Sequence, residues 1–282
     1  QAFADCARRP RGRRLDRRGS GPSAMVGVGL DAPAAAAGAA AGRSAFAVGG
    51  IGVQLVPFQD SLREGCEDVT GFHVWEQATS QACEVLRSDA ALVRERSVVD
   101  IGCGLGVLGM FCANQGAAHV LLIDKEPVVL GLAMQNARSN GVAARCDAVA
   151  ADFTRGGLPF RKGVFHLAVA SDVLFLDMLA LPLLAAVAAA SAPGGAAASA
   201  HAVVGHEIRR AVYRGPDGEP CVEKEDSALA KFLAAARETS EVRVHRRGVV
   251  VANGAPLEDG QPSSTGEPEA VAVALRWTSA VG

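Results

Sequence analysis

The chain has 282 residues, 49% hydrophobic and 21% charged, with 28 Lys plus Arg against 30 Asp plus Glu for a formal charge of −2. That balance belongs to a folded domain, and it lacks the excess of cations with which a nucleic-acid protein neutralises phosphates. The longest apolar run, residues 178–190, contains Pro182 and falls short of the ~20 residues that cross a bilayer, while Cys6, Cys66, Cys83, Cys103, Cys112, Cys146 and Cys221 form no C-x-x-C pair, so a membrane span, a disulfide framework and a cysteine zinc site are all excluded.

Gln1 stands where an initiator would, and Met25 is the expected start. Residues 1–20 carry seven arginines against Asp5 and Asp16 and read as a solvated tail, with an arginine-rich transit peptide as the alternative. Residues 32–41 are nearly all alanine and lack bulky side chains to bury. The expected organisation is a disordered Arg- and Ala-rich segment over 1–45, then one domain over 46–282.

Within that domain, 46–57 predicts one or two short strands with a turn at Gly49-Gly50. Val74, Trp75, Ala78, Ala82, Val85 and Leu86 fall at helical spacing. Residues 97–101 read as a buried strand, followed by a glycine loop and an apolar helix near 107–116. A second strand covers 119–123, and a helix runs from Pro127 to a stop at Asn140-Gly141. Further strands are expected at 144–150, 164–170, 196–203, 241–246 and 269–277, with helices at 176–191 and 225–238 and turns at Pro193-Gly194-Gly195 and Asn253-Gly254. Strands alternating with helices predict a three-layer α/β fold with a mostly parallel sheet. No helix separates the last two strands, so they should pair antiparallel near the C-terminal end.

The most informative stretch is Asp100-Ile101-Gly102-Cys103-Gly104-Leu105-Gly106, a strand end, a tight turn and a helix start. This is where an α/β sheet binds a nucleotide at its carboxyl edge, and a Cβ there would keep backbone from ligand. Gly104, Gly106 and Gly109 also satisfy the G-x-G-x-x-G pattern of dinucleotide sites. Asp100 discriminates: a buried carboxylate beside the turn repels a pyrophosphate but favours a ligand carrying an ammonium and a sulfonium, which points to S-adenosylmethionine over NAD. Asp124, at the end of the next strand, is placed to accept hydrogen bonds from ribose hydroxyls. The histidines form no H-E-x-x-H and have no paired cysteines, so no metal site is expected. The run His206-Glu207-Ile208-Arg209-Arg210 follows the fifth strand of the parallel series and reads as a solvated loop, with contact to substrate as the alternative.

Residues 100–106 resemble motif I of the seven-strand, Rossmann-like S-adenosylmethionine-dependent methyltransferases, and Leu122-Ile123-Asp124 is similar to their second motif. Gly71-Phe72-His73-Val74-Trp75 resembles the G-x-x-x-W segment of the protein-lysine methyltransferase branch, methyltransferase family 16. Asp172-Val173-Leu174-Phe175 resembles its D-x-x-Y signature, with Phe175 where that branch has tyrosine. The resemblance covers roughly residues 50 to 245. It implies that Gly102, Cys103 and Gly104, in the Asp100 to Gly106 motif, cradle the methionine part of the cofactor and that Asp124 holds the ribose. It further implies that Trp75 walls the pocket, Phe153 lies near the adenine, Ser171 gives a backbone contact and Asp172 faces the methyl acceptor as the catalytic residue.

The implied activity is N-methylation of a lysine in a protein substrate by a monomeric, cytoplasmic enzyme, with nucleus and organelles left open. A small amine is the alternative acceptor, and an NAD-binding module the remote one. Methyl transfer is an in-line displacement that needs alignment rather than a metal. A lysine acceptor must first lose its proton: with a pKa of about 10.4, roughly 0.04% is neutral at pH 7. Asp172 as a carboxylate would capture and orient the amine, whereas an apolar channel lined by Phe175 and Trp75 would favour its neutral form.

Overall fold

The computed structural model describes residues 45–54, 70–191, 200–214, 216, 218–246, 249–251 and 269–277. Residues 1–44 of the expected N-terminal segment, 55–57 of the expected first strands, the turns at 193–195 and 253–254, and 196–199 of the expected strand 196–203 lie outside these residues. A hairpin of β1 (Ala45–Val48) and β2 (Ile51–Gln54) comes first, with Gly49 and Gly50 at its turn. Helix α1 (Glu76–Ser88) follows, and then β3 (Ser97–Ile101), α2 (Val107–Asn114), β4 (His119–Asp124), α3 (Pro127–Ser139) and β5 (Cys146–Ala150) alternate. After β6 (Leu167–Ser171) come a 3-10 turn (Asp177–Leu179) and α4 (Ala180–Ser191), then β7 (Ala200–Glu207). A hairpin of β8 (Val212–Arg214) and β9 (Pro220–Val222) precedes α5 (Ser227–Thr239), β10 (Glu241–Arg246), β11 (Val249–Val251) and β12 (Ala270–Trp277).

The main sheet has the order β11-β10-β12-β7-β6-β3-β4-β5. Strands β5, β4, β3, β6 and β7 are parallel, and β12 lies antiparallel between β7 and β10. This is the expected seven-strand, mostly parallel sheet with its antiparallel C-terminal part. The short edge strand β11 and the hairpin β8–β9 were not expected; each spans three residues per strand, too few to show a period of two.

The central strands bury both faces, so their side chains divide by parity. Val98, Leu122, Leu167, Val169 and Val203 pack with α1, α2 and α3 on one side. Val99, Ile123, Ala168, Ala170, Ala202 and Val204 pack with α4 and α5 on the other. Helix α2 buries every residue from Val107 to Ala113, which is why its sequence is apolar all round. Helix α3 starts with Pro127 in its first turn, and α5 is capped by Asp226, whose carboxylate accepts the Leu229 N–H at 2.9 Å.

One close approach sets the seat of α1. A Cβ on Gly205 of β7 would overlap the Ala78 carbonyl and come within 3.2 Å of the Ala82 methyl, so the bare backbone lets the helix lie flush on the sheet. Trp75, the residue ahead of α1, is thereby brought to the carboxyl edge of the strands.

Candidate active site

The carboxyl ends of β3, β4, β5, β6 and β7 open into one cavity of about 540 Å³, within the range of small-molecule and cofactor pockets. Trp75, Asp100, Gly102, Cys103, Gly104, Asp124, Phe153, Ser171 and Asp172 all line it. They come from five separate loops and strand ends, as binding at the carboxyl edge of a parallel sheet requires. Gly106 does not line it. Its φ of 81° starts α2, and a Cβ there would press on the Ala133 methyl at 3.1 Å, so its work is packing against α3.

Around the glycine turn the contacts are dense. Gly104, at φ 51°, donates its N–H to Asp124 Oδ2 at 3.0 Å, and the Glu126 N–H reaches Asp124 Oδ1 at 3.0 Å. A Cβ on Gly104 would come to 3.0 Å from the Gly71 carbonyl, which closes the turn against the G-x-x-x-W segment. Asp124 thus fixes the turn as well as presenting a carboxylate to the cavity. Phe153 begins a 3-10 turn capped by Asp152, which accepts from the Thr154 N–H at 2.9 Å. The Thr154 hydroxyl and N–H outweigh burial and hold the Asp152 carboxyl below the ordinary carboxylate range.

Asp100 is 1% exposed and accepts the Gly109 N–H at 2.8 Å, tying β3 to α2. Burial, with the like charge of Asp124 behind it, pushes its carboxyl up to about 7 against the pull of that hydrogen bond. A cation bound beside it would restore the ionised form. Burial also raises the Cys103 thiol well above its ordinary range, so this side chain is no nucleophile.

The opposite end of the cavity holds what the sequence reading missed. Asp172 follows β6 with a φ of 56°, a left-handed conformation that a residue with a Cβ seldom adopts, and its N–H is held by the Gly205 carbonyl at 2.8 Å. Its carboxylate is buried and gripped bidentately by Arg209, with Nη1 on Oδ1 at 2.8 Å and Nη2 on Oδ2. The Glu207 N–H adds a third donor at 3.1 Å. The guanidinium lies over the Trp75 ring at 5.1 Å and is itself part of the cavity wall. Asp172 therefore reaches the cavity as half of an ion pair, not as the lone carboxylate expected to receive an amine.

Residues 206–210 are accordingly no solvated loop. Strand β7 runs to Glu207, and His206 within it is fully buried. His206 Nε2 lies 2.9 Å from Asp226 Oδ2, the carboxylate that also accepts the Arg209 backbone N–H at 2.6 Å. These donors overcome burial and hold Asp226 below the ordinary carboxylate range. At the same end, the Thr79 and Ser171 hydroxyls meet at 2.7 Å, and Thr79 Oγ1 donates to the Trp75 carbonyl at 2.9 Å. Among the described residues no cluster of three His, Cys, Asp or Glu could hold a metal, and no helix is long and apolar enough to cross a membrane.

The donor set suits S-adenosylmethionine. Asp124 stands where a ribose would be held, Phe153 offers a flat apolar face, and a buried acid sits beside the turn that would receive the cationic amino-acid part. Comparisons with known proteins agree. Residues 98–195 match the family described as Methyltransferase domain. The ribosomal protein L11 methyltransferase of Methylococcus capsulatus is 34% identical over 170 residues, which cover 55% of this chain and 52% of that protein. The ribosomal protein arginine N-methyltransferase rmt3 of Schizosaccharomyces pombe is 44% identical over 48 residues, 17% of this chain and 9% of that one. The chain thus spans about half the length of the first of these relatives, and far less of the second. In fold it is similar to a solved Pyrococcus horikoshii protein described as a transferase, with a TM-score of 0.50 and 15% identity over 84% of this chain and 72% of that one. The sheet topology and the glycine turn thus accompany a match to the Methyltransferase domain family over residues 98–195, and that match supports S-adenosylmethionine as the cofactor.

Proposed function

We propose that the chain N-methylates a lysine side chain of a protein, using the cavity at the carboxyl edge of the sheet. When bound, S-adenosylmethionine supplies a methyl group already activated on a sulfonium. Gly102, Cys103, Gly104, Asp124 and Phe153 hold the cofactor end, Asp100 favours its cationic part and Ser171 offers a backbone contact. Trp75, Phe175 and the Asp172–Arg209 pair form the acceptor end. Once a docked protein covers them, the apolar walls there disfavour a charged amine, while the pair orients the acceptor for in-line attack.

The observation that carries a macromolecular acceptor is the rim. Phe175, Leu176 and Met178 line the mouth yet stay exposed, Met178 at 71%. A contiguous apolar rim at a pocket mouth is a surface that a docking protein covers, and a small amine would leave it wet. The two curated relatives named above both carry protein substrates in their names, which supports the same reading.

The test is to incubate the protein with methyl-labelled S-adenosylmethionine and a cell extract, then to find the label by mass spectrometry. Methyllysine in a protein band is the expected result. Label on a small amine, on arginine or on RNA would overturn the lysine assignment while leaving the cofactor site intact.

A further inference from the structure

We propose that Arg209 is a specificity-determining residue of the acceptor end: by discharging Asp172 it makes this subsite receive the acceptor nitrogen without its proton. The inference rests on the reading of the cavity as an S-adenosylmethionine site with a nitrogen acceptor.

The geometry is over-determined on both partners. Asp172 is held from its backbone by Gly205 and from its carboxylate by the Glu207 N–H, in a conformation that costs a residue with a Cβ. Arg209 is held by its own N–H on Asp226, by Nη1 on the Glu207 carbonyl at 3.0 Å, and by the Trp75 ring beneath it. A planar fork on a buried carboxylate is the strong form of this contact. So placed, Arg209 stays with Asp172 when a ligand enters.

The other charged or titratable groups at this end come from two elements. His206 on β7 sets Nδ1 at 3.8 Å from Asp172 Oδ1, fully buried and with no hydrogen-bond partner, while its Nε2 is engaged by Asp226 at the start of α5. Glu207, also on β7, faces the pair with its backbone N–H and carbonyl. The Glu207 and Asp226 carboxylates also act on Arg209, but neither lines the cavity, and Asp226 is engaged by His206 and by two backbone N–H groups; the carboxylate an incoming ammonium meets is Asp172, already paired. Asp172 is neutralised by its guanidinium, and that guanidinium repels the ammonium. Both effects favour the neutral amine, which is the nucleophile the reaction needs.

Sinefungin tests this without a known protein substrate, because it carries an amine where S-adenosylmethionine carries its transferable methyl group. S-adenosylhomocysteine is the same scaffold without that amine. Calorimetry on the full chain would give both affinities, and repeating it in buffers of different ionisation heat would give the protons released. The wild-type protein is expected to release close to one more proton with sinefungin than with S-adenosylhomocysteine. Arg209→Met leaves Asp172 uncompensated: sinefungin should tighten at least tenfold relative to S-adenosylhomocysteine, and the extra proton release should vanish. Asp172→Asn uncovers the guanidinium and should weaken sinefungin about tenfold on the same ratio. Arg209→Lys keeps the charge and should hold the wild-type ratio, which separates charge from packing. Should Asp172→Asn fail to fold, the Arg209 pair of variants decides alone. A ratio that moves by less than threefold in Arg209→Met, with unchanged proton release, would overturn the proposal. Failure of the wild-type protein to bind S-adenosylhomocysteine at all would instead strike the cofactor reading, and the proposal with it.

Discussion

Asp100→Asn is the substitution whose effect can be worked furthest from the structure. The wild-type carboxyl is 1% exposed, receives the Gly109 N–H and sits at about 7, against about 3.9 in an unfolded chain. The folded protein therefore keeps a proton that the unfolded chain has released. Stability is fully present below pH 4, falls as pH rises towards 7, and then levels off. A displacement of about three pH units corresponds to roughly 4 kcal/mol lost over that window. Asparagine has nearly the same shape, still accepts from Gly109 and cannot ionise beside Asp124. Without ligand, the variant should melt several degrees above wild type at pH 8, an advantage that shrinks towards pH 5. The same change removes the charge that favours the cofactor's cationic part, so S-adenosylhomocysteine should bind at least tenfold more weakly. Scanning calorimetry from pH 5 to 8.5 is the assay, and a melting difference that stays constant across that range would refute the reasoning.

Asp124→Ala should lower S-adenosylhomocysteine affinity at least tenfold in a protein that still folds, because charge-assisted hydrogen bonds of roughly 1.5–3 kcal/mol each are lost; unchanged binding by calorimetry would remove Asp124 from the ribose. Gly205→Ala puts a methyl group into the Ala78 carbonyl and should cost at least about 2 kcal/mol in urea unfolding, with weakened cofactor binding as Trp75 is carried off with α1. Asp226→Ala strands the N–H groups of Leu229 and Arg209 and the His206 ring, and should destabilise by about 2–4 kcal/mol; a midpoint within experimental scatter of wild type would contradict it.

The parallel sheet, the glycine turn and the second acid were legible because each leaves a local mark. Buried parallel strands read as unbroken apolar runs such as Val98-Val99, and a turn that brings backbone to a ligand must be spelt in glycine. The acceptor end left fainter marks. The strand expected to end at 203 runs on to Glu207, because His206-Glu207 resembles loop. Burial of His206 depends on Asp226 arriving from the start of α5, a partner no window of sequence around β7 contains. The left-handed Asp172 and its grip by Arg209 are likewise products of tertiary packing. The likeness to the D-x-x-Y signature picked out the right carboxylate but was silent about its counter-ion.

The stacking of Arg209 on Trp75 has an optical consequence. The chain has 2 tryptophans and 1 tyrosine. Trp75 lines the cavity under a guanidinium, whereas Trp277 ends β12 inside the layer formed with α4 and α5. Their environments differ so much that their emission should separate: Trp277 blue, steady and lost only when the core melts, Trp75 redder and sensitive to whatever enters the cavity. The protein thus carries one fluorophore for occupancy and another for integrity, and a single titration can tell a ligand that fills the site from one that loosens the fold.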